Sequence, residues 1–154
     1  MLYSLVARRD DRPAIVRANG AKVTYAELHE RCGRLADELT RRGAGPGKAV
    51  GVAAKDPTEY LLLALAAWRA GAIVVPLDAR AGDALPLQGA RRVGVTTLAV
   101  GVDETGAPRE LPTDVPARPF DPRLGLGLFT SGSSAQPKGV LLLASGPAHH
   151  VEAL

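Results

Sequence analysis

The sequence predicts a single α/β domain over residues 1–154, with a mainly parallel sheet, packed helices and an N-terminal β-hairpin. Three observations predict it. Ala49–Ala54 and Ile73–Leu77 are short, continuously apolar runs, as expected of strands buried on both faces. A capped helical segment separates them, so strand, helix and strand form a right-handed crossover unit. Upstream, two β-prone runs flank Asn19-Gly20, a pair suited to a tight hairpin turn.

Taken in order, Ala14–Tyr25 reads as the hairpin, with Asn19-Gly20 supplying positive φ angles at the turn. Thr24 and Glu27 then form a Thr-x-x-Glu capping box. Tyr25, Leu28, Cys32, Leu35, Ala36 and Leu39 recur at helical spacing, a one-sided stripe for packing on a sheet. The Ala49–Ala54 strand leads to Asp56-Pro57-Thr58-Glu59, which reads as N-cap, first helical residue and acidic third position. Tyr60–Trp68 is apolar nearly all round, so that helix is buried on most faces. Gly71 ends it before the Ile73–Leu77 strand. Ala79–Ala90, rich in Gly and Pro, reads as irregular, and Val93–Val102 as a third core strand. Asp103–Arg123 reads as a loop, Leu124–Phe129 and Gly139–Leu143 as strands, and Pro147–Leu154 as the start of a helix.

Composition narrows the function. Hydrophobic residues make up 46% and charged residues 23%, ordinary for a globular chain. Aromatics are only 4%, so the core rests on Ala, Val and Leu. The net charge of +3 is spread along the chain, without a basic run interleaved with aromatics, so nucleic acid is not an expected partner. Tyr60–Ala67 is far shorter than the roughly 20 residues that span a bilayer, and no membrane association is expected. The N-terminus lacks the pattern of a signal peptide. One cysteine, Cys32, fits a cytoplasmic location and reads as a small buried hydrophobe.

The chemistry is concentrated between Leu126 and Val140. A strand runs into Thr130-Ser131-Gly132-Ser133-Ser134-Ala135-Gln136-Pro137-Lys138-Gly139. Small residues let backbone N–H groups approach a phosphate, hydroxyls add donors, and Lys138 adds a charge. It is not a Walker loop, because Lys138 precedes Gly139. The residues alone fit either a phosphate cradle or a Ser/Gly-rich connection without a ligand.

This stretch resembles the phosphate-loop signature of the adenylate-forming superfamily, Thr-Ser-Gly-Ser/Thr-Thr-Gly-x-Pro-Lys-Gly, shared by acyl-CoA synthetases, luciferases and nonribosomal peptide synthetase adenylation domains. Thr130, Ser131, Gly132, Ser133, Pro137, Lys138 and Gly139 match. Val23–Leu28 and Trp68–Asp78 resemble two upstream core motifs of the same family, in the same order. The resemblance covers the chain from about Arg12 onward and implies the first part of the family's N-terminal domain. It implies ATP or AMP with Mg²⁺, or an acyl-adenylate, held by Thr130, Ser131, Gly132, Ser133, Ser134, Lys138 and Gly139.

The chain departs from the pattern at Ser134, which keeps the hydroxyl, and at Ala135, which adds a Cβ where the family has glycine. The stretch from Asp78 to Thr130 is also shorter than usual in the family. The adenine, ribose and C-terminal lysine elements that the resemblance implies all follow the loop, and none lies in these 154 residues. Adenylation needs several such elements at once, so the expectation is a ligase-like protein that binds nucleotide and acts as a homo-oligomer or with a complementary chain. The alternatives are a non-catalytic scaffold, or a small repurposed biosynthetic enzyme with its site at an oligomer interface. Lys138, His149 and His150 are the catalytic candidates. Adjacent residues point in different directions, so the two histidines do not share a metal, and no metal site is expected. His29 reads as exposed on the first helix, and Asp10, Asp11 and Asp121 as loop charges without partners.

Overall fold

The computed structural model describes residues 8–80, 82–130 and 138–145. An antiparallel hairpin, β1 (Pro13–Val16) and β2 (Lys22–Thr24), leads directly into α1 (Tyr25–Arg41). β3 (Ala49–Val52), α2 (Pro57–Arg69) and β4 (Ile73–Pro76) make the expected crossover, with β3 parallel to β4. α3 (Ala84–Val93), β5 (Thr97–Val102), β6 (Pro108–Leu111), β7 (Leu124–Thr130) and β8 (Lys138–Leu143) follow. The sheet order is β6-β5-β3-β4-β7-β8: four parallel strands in the centre, with an antiparallel strand on each flank.

α1 and α2 begin where their caps place them. The Thr24 hydroxyl accepts the Glu27 N–H at 3.2 Å, and the Glu27 carboxylate accepts the Thr24 N–H at 2.9 Å. Asp56 accepts the N–H groups of Thr58 and Glu59 at 2.8 and 2.9 Å, with Pro57 in the first turn, where its missing N–H costs nothing.

The pleat sends successive strand side chains into different layers. Val50, Val52, Val74 and Ala99 meet α1 and α2 on one face, around Leu39 and Leu63. Ala49, Ile73, Val75, Leu98 and Val100 meet Ala90 of α3 on the other. Cys32 lies fully buried in the first layer, where desolvation pushes its thiol up to about 12. No helix among the described residues is long and apolar enough to cross a membrane.

Several local expectations are corrected. Ala79–Ala90 is not irregular throughout, and Val93 does not begin a strand: Ala84–Val93 is α3, closed by Gly94 at φ 75°. Pro86 sits in the first turn, and Gly89 faces Leu77 so closely that a Cβ there would stand 2.7 Å from Leu77 Cδ2. The Asp103–Arg123 loop contains β6, reached through a turn in which Asp103 accepts the N–H groups of Thr105 and Ala107. In the first hairpin only Gly20 has positive φ, so Asn19 does not; Asn19 instead accepts the Ala21 N–H. His29 is half-buried, with Arg69 donating to its carbonyl at 3.2 Å. Asp10 and Asp121 pair with Arg12 and Arg123. The expected helix from Pro147 lies outside the described residues.

Candidate functional site

Parallel strands in an open sheet release their chain at one edge, and ligands bind in the crevice outside their carboxyl ends. Here β4 and β7 run side by side, with Val74 opposite Leu126. The start of β7 is pinned to α2: the Trp68 indole N–H donates to the Gly125 carbonyl at 2.7 Å. The Trp68–Asp78 segment singled out in the sequence therefore has a physical task, since it supplies both β4 and the clamp on β7.

β7 and β8 form a hairpin whose register places Thr130 opposite Lys138 and Phe129 opposite Gly139. Thr130, Lys138 and Gly139 thus come together as backbone positions at the carboxyl end of β7. Ser131, Gly132, Ser133, Ser134 and Ala135 lie outside the described residues, as do His149 and His150, so the structure neither joins nor separates the two histidines and the loop.

Beside the hairpin tip lies a crevice of about 370 Å³. Pro76, Leu77 and Asp78 line it from the end of β4, Gln88 and Arg92 from α3, and Phe129 from β7. Its wall is mostly apolar with a few polar groups, the usual make-up of a small-molecule site. Gln88 and Arg92 escaped sequence reasoning because α3 did. The signal for that helix was present: two basic residues, Arg91 and Arg92, followed shortly by a glycine, mark a helix C-terminus.

At the mouth, Asp78 accepts from Arg80 Nη2 at 2.6 Å and from its backbone N–H at 2.9 Å. These contacts hold the Asp78 carboxyl down at about 2. The group is exposed to solvent, so it is charged at any physiological pH. A depressed folded value means that its contribution to stability is present above the unfolded pKa and lost as pH falls through the folded one. Titration by NMR is expected to give a midpoint near 2 for Asp78, moving back toward the ordinary 3.8 in Arg80→Gln. An unmoved midpoint in the variant would show that Arg80 does not hold the carboxylate.

Comparisons with known proteins agree with this fold. A protein-family model described as AMP-binding enzyme matches residues 3–119. The chain is 35% identical to phosphinothricin tripeptide synthetase PhsC of Streptomyces viridochromogenes over 88% of its own length and 14% of that protein's. It is 34% identical to a feruloyl-CoA synthase of an Amycolatopsis species, over 88% of this chain and 31% of the relative. Among solved structures, the N-terminal subdomain of NpsA from Klebsiella oxytoca, in complex with anthranilyl-AMSN, superposes with a TM-score of 0.72 at 24% identity. That match covers 96% of this chain and 41% of the subdomain. MenE of Bacillus subtilis, in complex with AMP, gives 0.71 at 17% identity, covering 97% and 43%. The chain thus spans less than half of each relative.

Proposed function

The chain belongs to the AMP-binding enzyme family, and we propose that it binds ATP, AMP or an acyl-adenylate at the β7–β8 hairpin tip and contributes that site to an adenylate-forming ligase. The observation that carries the reading is the register of Thr130 opposite Lys138 at the carboxyl end of β7. It brings the two ends of the Thr130–Gly139 motif together beside the crevice.

The donor types fit an anion. Backbone N–H groups, hydroxyls of the Ser-rich segment and the Lys138 ammonium are groups that hold phosphate oxygens. Mg²⁺ would arrive on those phosphates. Among the described residues no three His, Cys, Asp or Glu side chains converge to hold a cation. When bound, the nucleotide would supply the α-phosphorus on which an acyl carboxylate is activated. This chain's part is to bind and orient the phosphates.

Catalysis would then need further groups, and we propose that a complementary chain or a second copy supplies them. One feature supports this. On the flanking hairpin, the paired Leu128 and Val140 are exposed on one face and Leu141 and Leu143 on the other, apolar surface of the sort that marks an interaction site.

Calorimetric titration with ATP, AMP and a non-hydrolysable acyl-adenylate, beside Lys138→Ala, tests the binding. A charge-assisted contact of about 1.5–3 kcal/mol predicts roughly ten- to a hundred-fold weaker affinity in the variant. Absence of binding by a folded protein, or equal affinity in Lys138→Ala, would sink this reading and leave a scaffold. Light scattering on the same sample reports whether the chain self-associates.

A further inference from the structure

α2 carries apolar residues nearly all round, a composition suited to a helix covered on most faces. One of its leucines is not covered: Leu62, Leu63 and Leu65 are buried, but Leu61 is exposed. Across a groove of about 590 Å³ stands Val16 at the end of β1, 63% exposed. Ile15 and Pro57 complete the apolar lining. β1 belongs to a two-stranded sheet, and no described strand pairs its outer edge. An open strand edge offers N–H and C=O groups to a further extended segment.

At Arg17 the groove opens into a second hollow of about 370 Å³, since Arg17 lines both. Arg31 and Arg34 of α1 line this part from one side, and the turn after β5, with Glu104, from the other. Among the described residues, Arg34 pairs with Glu30, whereas neither Arg17 nor Arg31 has a carboxylate within ion-pair distance. Most acidic groups nearby are engaged by the backbone. Asp56 accepts the Thr58 and Glu59 N–H groups, and Glu59 accepts the Val102 N–H at 3.3 Å. Asp103 accepts the N–H groups of Thr105 and Ala107. Glu104 is exposed on the turn, with no hydrogen-bond partner among the described residues.

An apolar groove that passes into a cluster of arginines is complementary to an extended segment with an apolar half and an acidic half. We propose that this groove docks such a segment from a partner protein, laid along the outer edge of β1. Its apolar side chains would cover Val16 and Leu61, and its carboxylates would meet Arg17 and Arg31. Strand addition supplies main-chain hydrogen bonds, while the side chains of the groove set which sequences fit. None of these residues lines the crevice beside the hairpin tip, so the docking does not rest on nucleotide binding there.

The test is fluorescence anisotropy of a labelled peptide about eight residues long, within the usual range of a strand, titrated with the whole chain. One half of the peptide is valine and leucine and the other is glutamate, made in both orders. At least one order is expected to bind. Its counterpart with glutamine for glutamate should bind at least about five-fold more weakly, as loss of two exposed ion pairs implies. Arg17→Gln and Arg31→Gln should each weaken the glutamate peptide by roughly two- to five-fold. Glu104→Gln removes a like charge and should strengthen it by up to about two-fold. Val16→Ser should weaken it by about ten-fold through lost apolar burial. If Val16→Ser does not fold, as circular dichroism would report, the arginine variants and the glutamine peptide decide. Lys138→Ala should leave peptide binding unchanged. No binding of either order, equal binding of the glutamine peptide, or insensitivity to both arginine variants would each overturn the proposal. So would a dimer, seen by light scattering, that Val16→Ser dissociates, since a second copy would then fill the groove.

Discussion

Leu63→Ala is expected to lower the unfolding free energy by about 2–5 kcal/mol, toward the upper half of that range. Leu63 is wholly inaccessible on α2, in the layer shared with α1 and the sheet. Its neighbours in sequence along the buried stretch are Ala64, Leu65, Ala66 and Ala67. In a core poor in aromatics, few side chains have the length to reach into the gap left by a deleted leucine. Behind it, Val50 and Val74 belong to β3 and β4, each paired with a strand on both sides, so the sheet cannot fold inward to close the hole. The cost therefore includes most of the cavity term as well as the lost transfer energy. Against a typical total of roughly 5–15 kcal/mol, that is a large share. Urea unfolding followed by helical circular dichroism measures it. Leu61→Ala, at a position that is 38% exposed on the same helix, should stay within about 1 kcal/mol. Equal costs for the two would mean that α2 does not bury the Leu63 face.

Much of this layer was legible in the sequence because its signals are local. Thr24 with Glu27, and Asp56 with Pro57, announce helix starts through contacts within one turn. The apolar runs of β3 and β4 announce strands buried on both sides. What escaped depended on partners distant in sequence. Pro86 and Gly89 count as breakers in isolation, yet Pro86 falls in the first turn and Gly89 lets α3 sit against Leu77. β6 has no apolar pattern, and only its pairing with β5 makes it a strand. Proline at its first residue is tolerated on such an edge. The Asp-x-Arg pairs at Asp10, Asp78 and Asp121 were local and still missed, because a two-residue spacing brings side chains together only where the chain turns. At the site, the motif was legible residue by residue, since its meaning lies in consecutive small and hydroxylic positions. The crevice was not. It is assembled from the end of β4, α3 and β7, and no local pattern signals that these elements meet.

Gly51→Val probes the opposite layer and is expected to destabilise by about 3 kcal/mol, the upper end for overpacking. Gly51 lies in the middle of β3. A Cβ there would stand 2.9 Å from Leu77 Cδ1, 3.0 Å from Leu98 Cδ1 and 3.1 Å from Val95 Cγ1. Strand propensity favours valine over glycine, but that whole scale spans only about 1 kcal/mol, so the steric term decides the sign. The three neighbours do not yield equally. Leu98 and Val95 are completely buried, whereas Leu77 is half-buried and lines the crevice. In the milder Gly51→Ala, Leu77 is therefore the side chain that moves. Leu77→Ala should recover part of the loss, with a coupling of at least about 0.5 kcal/mol in a double-mutant cycle. Additive effects would mean that β3 and the crevice wall are not in contact. A measured coupling would mean that the packing of the central strand sets the shape of the candidate site.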